Sequence, residues 1–251
     1  MSNAICHFAW YELTTADPAA AAKFYSAVLG WQARDSGMPG MAYSIMSANG
    51  ADVAGVMAPP PGVPVCWTGY IAVPDVDAHV GKVTAAGGSV QRPPEDIPGV
   101  GRFAVVADPQ GAVFVLFTPD GGMTRAAVAP DTQGHVGWHE LHAGEGVSAF
   151  AFYSALFGWT KVETVEMGPM GVYQTFGDGE VAFGGMMTKP EGAPGPCWRF
   201  YVTVESVAAA MARTTTAGGQ VIFGPMEVPG GGFVANCIDP QGAAFSLVGP
   251  A

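Results

Sequence analysis

The sequence contains the same stretch twice, and this repetition limits the possible folds more than any other feature does. Residues 10–31 read WYELTTADPAAAAKFYSAVLGW, and residues 138–159 read WHELHAGEGVSAFAFYSALFGW, 128 positions later. The run Asp-Pro-Gln-Gly-Ala begins at Asp108 and again at Asp239, 131 positions apart, so three residues are inserted in the second copy. A period this long indicates a duplicated domain, because solenoid repeats are far shorter.

The repeated stretch predicts a strand, a helix and the start of another strand. Asp17 can accept hydrogen bonds from the first turn of a helix, and Pro18 suits the first helical position. Apolar residues then recur at spacings of three and four, which gives the helix one apolar face. Gly30 suits the left-handed residue that ends a helix.

Each copy contains this pattern twice, as a strand, a helix and three further strands. The second helices are predicted from Asp75 to Ala86 and from Ser206 to Ala217. The predicted fold class is therefore α+β, with four βαβββ units arranged as two tandem domains. We place these domains at residues 1–122 and 134–251, joined by a linker at 123–133 that is rich in Pro, Gly and polar residues.

Composition and charge exclude several classes of protein. The net charge of −11, from 10 basic and 21 acidic residues, argues against nucleic-acid binding. No apolar run reaches the roughly 20 residues of a membrane span, and the start of the chain lacks the features of a secretory signal. The four cysteines form no Cys-x-x-Cys pair and are predicted to be reduced thiols. We expect a cytoplasmic protein with no membrane or nucleic-acid partner, and a monomer or a homodimer.

The order of these motifs resembles the vicinal oxygen chelate superfamily. A strand is followed by Asp, by Phe-Tyr…Leu-Gly-Trp, by Val-x-Asp-Val-Asp-Ala…Gly-Gly and by Asp-Pro-Gln-Gly. That superfamily holds glyoxalase I, extradiol dioxygenases, bleomycin-resistance proteins and fosfomycin-resistance enzymes. The Trp-Tyr-Glu-Leu opening and the duplication are similar to its glyoxalase-like branch with two tandem domains. The resemblance implies that each pair of βαβββ units forms a curved, incomplete barrel around a cavity, which is the working site.

The resemblance also implies where a divalent metal would bind, on the first and last strands of the units. Carried over to this chain, those places hold the following residues: Trp10, Thr68 and Val115 with a fourth near Ala54 in the first copy, and Trp138, Arg199 and Ser246 with a fourth near Phe183 in the second. None is a conventional ligand, and a divalent ion needs several convergent donors. We therefore predict no metal cofactor, with a shifted metal site built from Glu12, Glu140 and His142 as the alternative.

Glu12, Glu140 and His142 are the candidate catalytic residues. Alternation along the first strand of each copy places them on the cavity face, together with Trp10 and Trp138. A carboxylate in an apolar cavity is partly desolvated, which raises its pKa and suits proton transfer. Two other roles stay open: Glu140 and His142 can form a polar pair that lines the cavity, and the glutamates can accept hydrogen bonds from an indole or a backbone N–H.

Further residues are predicted to contact a ligand. Arg199 is the one strong cation expected on a cavity face, where it can bind a carboxylate, phosphate or enolate, or pair with Glu140. The candidate substrate-binding residues are Trp10, Thr68, Tyr70, Trp138, Arg199, Tyr201 and Ser246. The Pro- and Gly-rich segments 92–101 and 224–232 are predicted as long loops, either cavity lids or ordinary connections.

The sequence supports three functional hypotheses. In the first, the protein binds, and in one version transforms, a small, partly aromatic metabolite without the usual metal triad. In the second, it is a metal-dependent lyase, isomerase or dioxygenase of the glyoxalase type with a shifted site. In the third, it is a non-catalytic protein that sequesters a ligand, as resistance proteins do. The residues leave open whether the protein is an enzyme, because one fold in this superfamily hosts several chemistries.

Overall fold

The chain forms four βαβββ modules, which a computed structural model describes for residues 5–38, 40–121, 128–179 and 181–251. The first contains β1 (Phe8–Thr14), α1 (Pro18–Leu29), β2 (Gln32–Asp35), β3 (Tyr43–Ala48) and β4 (Ala51–Met57). The second contains β5 (Cys66–Ala72), α2 (Val76–Ala85), β6 (Ser89–Ile97), β7 (Gly101–Ala107) and β8 (Val113–Pro119). The third contains β9 (Val136–Ala143), α3 (Gly146–Phe157), β10 (Thr160–Glu166), a 3-10 turn (Gly168–Met170), β11 (Val172–Gly177) and β12 (Ala182–Thr188). The fourth contains β13 (Cys197–Thr203), α4 (Val207–Thr216), β14 (Gln220–Val228), β15 (Gly232–Ile238) and β16 (Ala244–Gly249).

The strands of each copy form one eight-stranded sheet. The first sheet has the order β2-β3-β4-β1-β5-β8-β7-β6, and the second has the equivalent order β10-β11-β12-β9-β13-β16-β15-β14. Within each module the first strand pairs in parallel with the last, and the other pairings are antiparallel. The predicted α+β class with four βαβββ units is confirmed.

Local sequence signals fix the helix boundaries. Asp17 caps α1 by accepting a hydrogen bond from the N–H of Ala20, and Pro18 occupies the first turn. Gly30 ends the helix in the left-handed region at φ 73°, which glycine adopts without steric cost. Phe24 and Tyr25 lie on the buried face of the helix, as the apolar spacing predicts. No helix in the described ranges is both long enough and apolar enough to cross a membrane.

The chain forms two compact units, and each unit combines one module from each copy. One unit comprises Met1–Ala9, Thr68–Ala126 and His139–Trp198, and the other comprises Trp10–Trp67, Ala127–Trp138 and Arg199–Ala251. The tandem domains at residues 1–122 and 134–251 stay a prediction. Residues 123–127 of the predicted linker lie outside the described residues.

A buried polar network joins the two modules within each unit. In one unit the Tyr25 hydroxyl donates to Asp239 at 3.1 Å and accepts from the Trp67 indole at 2.9 Å. In the other, Tyr153 donates to Asp108 at 3.1 Å and accepts from Trp198 at 3.1 Å. Burial and the neighbouring carboxylate raise the pKa of both tyrosines, so both hydroxyls stay protonated and donate. The repeated Tyr, Trp and Asp residues therefore have a structural role.

The glutamine of each Asp-Pro-Gln-Gly turn also crosses between copies. The side chain of Gln241 bonds to both the backbone N–H and the C=O of Asp17, at 2.6 and 2.8 Å. Gln110 does the same for Glu145, at 2.6 and 2.9 Å. Each turn therefore holds the residue that caps a helix of the other copy.

The two proline- and glycine-rich segments are strands, and the prediction of long loops is wrong. β6 pairs with β7 as far as Ile97 and Gly101, and β14 pairs with β15 as far as Val228 and Gly232. The register shifts between Arg92 and Glu95, and prolines occupy the two positions in between. A proline lacks the N–H that a regular ladder needs, but a bulge tolerates it. Composition therefore predicted a loop where a bulged hairpin forms.

Candidate functional site

The first candidate site, here called the Glu12 cluster, consists of Trp10, Glu12 and Tyr43. Trp10 and Glu12 lie two residues apart on one face of β1, and both meet the tyrosine of β3. The indole N–H of Trp10 donates to Tyr43 Oη at 2.9 Å, and Tyr43 Oη donates to Glu12 Oε2 at 3.1 Å. Burial and the nearby carboxylate of Glu12 raise the pKa of Tyr43. The hydroxyl therefore stays protonated and holds the carboxylate in place.

A glycine on the intervening strand makes the Glu12 cluster possible. Gly55 of β4 is the register partner of Glu12, so Tyr43 must reach across it from β3. A Cβ at this position would overlap the hydroxyl and the ring of Tyr43. Any other residue would therefore displace the tyrosine from the carboxylate.

The second candidate site, here called the Glu140 cluster, consists of Glu140, His142 and Tyr173. Tyr173 Oη of β11 donates to Glu140 Oε2 at 3.0 Å, and a Cβ on Gly185 of β12 would overlap the tyrosine ring. His142 Nε2 lies 2.7 Å from Glu140 Oε1, and the two side chains are 16% and 13% exposed. An ionised carboxylate only accepts, so we assign the hydrogen to Nε2 of His142.

The two clusters differ at one position of the first strand. Where the second copy has His142, the first has Thr14, whose hydroxyl donates to the backbone oxygen of Pro64 at 2.8 Å. Thr14 therefore stabilises the chain before β5, whereas His142 meets the glutamate. Both predicted glutamates have tyrosine partners that the predictions did not include.

The remaining predicted ligand-binding residues lie on four strands. Thr68 and Tyr70 belong to β5, Trp138 to β9, Arg199 and Tyr201 to β13, and Ser246 to β16. Tyr201 and Ser246 are register partners, and the Ser246 hydroxyl donates to Asn236 Oδ1 at 2.8 Å. The structure thus brings together Trp10 with Glu12, Glu140 with His142, and Tyr201 with Ser246.

His139 lies beside Glu140 in sequence and has a different environment. It is buried, stacks on Phe8 with ring centroids 4.3 Å apart, and places Nδ1 2.7 Å from the Phe183 carbonyl oxygen. Burial lowers the pKa of His139 to about 4. The imidazole is therefore neutral at physiological pH and acts as a core residue that donates to a carbonyl.

Residues 7–116 and 125–247 both match the model of the Glyoxalase/Bleomycin resistance protein/Dioxygenase superfamily. The chain belongs to this superfamily. A relative named "Putative glyoxylase CFP32", from Mycobacterium tuberculosis (strain CDC 1551 / Oshkosh), is 37% identical over 248 residues, which cover 96% of this chain and 94% of that protein. The "Anthracycline biosynthesis protein DnrV" of Streptomyces peucetius is 34% identical over 256 residues, covering 96% and 92%.

Solved structures of the glyoxalase superfamily have the same fold. The Mn(II)-bound glyoxalase from Novosphingobium aromaticivorans aligns with a TM-score of 0.66 at 18% identity, over 99% of this chain and 82% of that one. At this identity the likeness shows the fold alone. The resemblance stated from the sequence motifs is confirmed by both the family match and these structures.

The described residues do not fit the divalent metal that the glyoxalase superfamily implies. The places carried over from the superfamily hold indole, hydroxyl, guanidinium and apolar side chains instead of carboxylates and imidazoles. Among the residues that the structure describes, no three His, Cys, Asp or Glu side chains come together in a group that could hold a metal ion.

Sequence reasoning missed both cluster tyrosines and the glycines beneath them. The repeat itself carried a signal, because Tyr43 and Gly55 recur as Tyr173 and Gly185 with the same offset of 130 residues. A tyrosine and a glycine duplicated at constant spacing, on two successive strands of the sheet that holds the glutamate, indicate a ring that lies across the glycine. Asn236 was also missed, and it has no counterpart in the first copy, where Val105 occupies the equivalent place.

Proposed function

We propose that this protein binds a small, partly aromatic molecule, and that the Glu12 and Glu140 clusters are its binding positions. The observation that supports this most is the duplicated arrangement of a partly exposed carboxylate and a tyrosine hydroxyl over a glycine. A carboxylate has about four acceptor positions, so it can hold a tyrosine and a ligand donor together. The indole and phenol rings offer surfaces on which an aromatic ring can stack.

The relatives support the same class of ligand. One relative is named for anthracycline biosynthesis, and anthracyclines are fused-ring phenols. Such a molecule carries hydroxyl donors for a glutamate and a flat face for an aromatic side chain. We therefore propose a hydroxylated aromatic molecule as the ligand.

The Glu140 cluster favours a second candidate function, acid–base transformation of the bound molecule. An imidazole oriented by a carboxylate at 2.7 Å is a common arrangement for proton transfer. In the first copy Thr14 occupies the place of His142, and its hydroxyl donates to the backbone oxygen of Pro64. If the protein turns over a ligand, we therefore place the chemistry in the second copy.

Calorimetric titration with two probes, the anthracycline doxorubicin and 1-naphthol, tests the proposed binding. We expect Glu12→Gln and Glu140→Gln each to weaken binding at one site by roughly 10- to 100-fold, the effect of losing a hydrogen bond to a charged group. The exposed Glu191 provides a matched control, and Glu191→Gln should leave both sites unchanged.

Two results would contradict the proposed function. One is the absence of binding of either probe to the wild-type protein, and the other is unaltered binding to the double variant Glu12→Gln/Glu140→Gln. Mass spectrometry of a bound probe after incubation separates the two candidate functions. A chemically unchanged probe supports binding alone, and a product that His142→Asn abolishes supports acid–base transformation.

A further inference from the structure

Arg199 differs from every other arginine in the described ranges. The other four form ion pairs: Arg34 with Asp52, Arg92 with Glu95, Arg102 with Asp77 and Asp96, and Arg213 with Glu205. The side chain of Arg199 forms no ion pair or hydrogen bond with the described residues, although its Nε is buried. In a chain with a net charge of −11, acidic partners are plentiful, so an unpaired guanidinium is unexpected.

The unsatisfied Nε destabilises the folded protein. A buried donor without a partner costs about 1–3 kcal/mol, and more when the group is charged. Truncation of the side chain, or a shift of one acidic residue, would remove this cost. An anion bound to the guanidinium would also remove it, because the planar fork of donors matches two oxygens at once.

The strands beside Arg199 are polar in the second copy and apolar in the first. Tyr201 lies on the same face of β13, Ser246 is its register partner on β16, and Asn236 on β15 bonds to that serine. The residues at the equivalent positions of the first copy, offset by 131, are Thr68, Tyr70, Val115 and Val105. The second copy therefore has one cation and two hydrogen-bonding side chains where the first copy has Thr68 and two valines.

We propose that Arg199 binds a carboxylate of the ligand, so that the second copy selects an acidic aromatic molecule. This proposal rests on the proposed function. It adds that the ligand carries a negative charge and that the second copy recognises that charge. A carboxylate presents two coplanar oxygens to the planar guanidinium, which can donate to both at once. Thr68 at the equivalent place in the first copy cannot supply this charge, so the first copy has no such preference.

The test compares two probes that differ only in charge, 1-naphthoate and the neutral 1-naphthamide. We expect wild-type protein to bind the acid roughly 10- to 100-fold more tightly than the amide, the range for a charge-assisted hydrogen-bonded pair. Arg199→Gln should remove this preference, so that the acid and the amide bind with equal affinity. Arg34→Gln alters an exposed arginine of the same charge and should keep the preference.

A second measurement uses the wild-type protein alone. It follows the NMR resonance of the Arg199 Nε–H during titration. The resonance should shift as 1-naphthoate is added and stay in place as 1-naphthamide is added. Equal affinities for the two probes with a stationary resonance would refute the role of Arg199 and leave the proposed function intact. If neither probe binds, the proposal for Arg199 is wrong, and the titration with doxorubicin and 1-naphthol decides the proposed function separately.

Discussion

The Glu12 and Glu140 clusters share a glutamate, a tyrosine and a glycine, and the two copies differ in the side chain two residues after the glutamate. In the first, this side chain is Thr14, whose hydroxyl donates to the backbone oxygen of Pro64. In the second, an imidazole meets the carboxylate directly, and histidine is the side chain that titrates near neutrality. The comparison indicates that the copied scaffold places the carboxylate, and that one neighbouring residue decides whether it is a fixed acceptor or part of a proton-transferring pair.

The largest effect is expected from substituting the glycine beneath each tyrosine, which both copies share. In Gly55→Ala and Gly185→Ala the new methyl group would overlap the tyrosine, so the ring must leave the glutamate. Overpacking costs about 1–3 kcal/mol, and the lost hydrogen bond adds about 1 kcal/mol. Urea unfolding should show both losses, with weaker probe binding. Gly81 of α2 has open space around its Cβ position, and Gly81→Ala should be neutral or stabilising, by up to about 1 kcal/mol.

The buried His139 should make the stability of the folded protein depend on pH. The first copy has Tyr11 at the equivalent place and lacks this contribution. The folded-state pKa of His139 is about 4, lowered from 6.5 by burial. As the pH falls from 6.5 to 4, the unfolded chain takes up a proton that the folded chain does not, so stability is lost in that window, by up to about 3 kcal/mol. Above pH 6.5 both states are neutral and this contribution is constant.

Thermal unfolding of wild type and His139→Tyr between pH 8 and pH 4 measures this contribution. At pH 8 the difference in melting temperature between the two proteins reflects packing alone. Between pH 6.5 and 4 the melting temperature of the wild type should fall more steeply than that of the variant. Parallel curves would mean that His139 titrates normally in the folded protein.

The tyrosine hydroxyls each hold the glutamate of their cluster. Tyr43→Phe removes the hydrogen bonds that join the Trp10 indole, Tyr43 and Glu12, and Tyr173→Phe removes the hydrogen bond to Glu140. We expect each variant to lose about 1–3 kcal/mol. Urea unfolding of the two variants measures these losses, and a midpoint unchanged from the wild type would contradict the hydrogen bond described for that tyrosine.

The smallest effect is expected where the two copies are alike. Gln110 and Gln241 each make two hydrogen bonds to the backbone of a helix cap in the other copy. Gln110 also donates to Ser148 Oγ at 3.0 Å. Both side chains are near the surface, so Gln110→Ala and Gln241→Ala should each cost about 1 kcal/mol, and the loss should be no smaller for Gln110→Ala. A larger loss for Gln241→Ala in urea unfolding would contradict these hydrogen bonds.

Local signals predicted most of the fold. Asp17 before Pro18 and Gly30 at the end of the apolar spacing describe a helix completely within fourteen residues, and the repeat shows the same helix again. The bulged hairpins were not predicted, because Pro93 and Pro94 indicate a loop unless the pairing of β6 with β7 is known. Proline favours loops in general, but a bulge in a strand pair can also accommodate it, and the bulge becomes known only with the pairing.

The glutamates of the two clusters were predicted, and their tyrosine partners were not. Tyr43 lies 31 residues from Glu12, and Tyr173 lies 33 residues from Glu140. Their meeting depends on the strand order β3-β4-β1, which no local pattern encodes. The absence of partners around Arg199 is likewise a property of the folded chain, since the sequence left an ion pair with Glu140 equally open.

The hydrogen bonds from Tyr25 to Asp239 and from Tyr153 to Asp108 have an evolutionary consequence. An ancestor with a single copy could make these bonds only between two identical polypeptides, and any substitution would then have appeared on both sides of its dimer at once. Gene fusion placed both partners on one polypeptide, so one half could change while the other kept its original residue. His142 is equivalent to Thr14, and Arg199 is equivalent to Thr68. A symmetric dimer of identical chains could not have such different residues at equivalent positions.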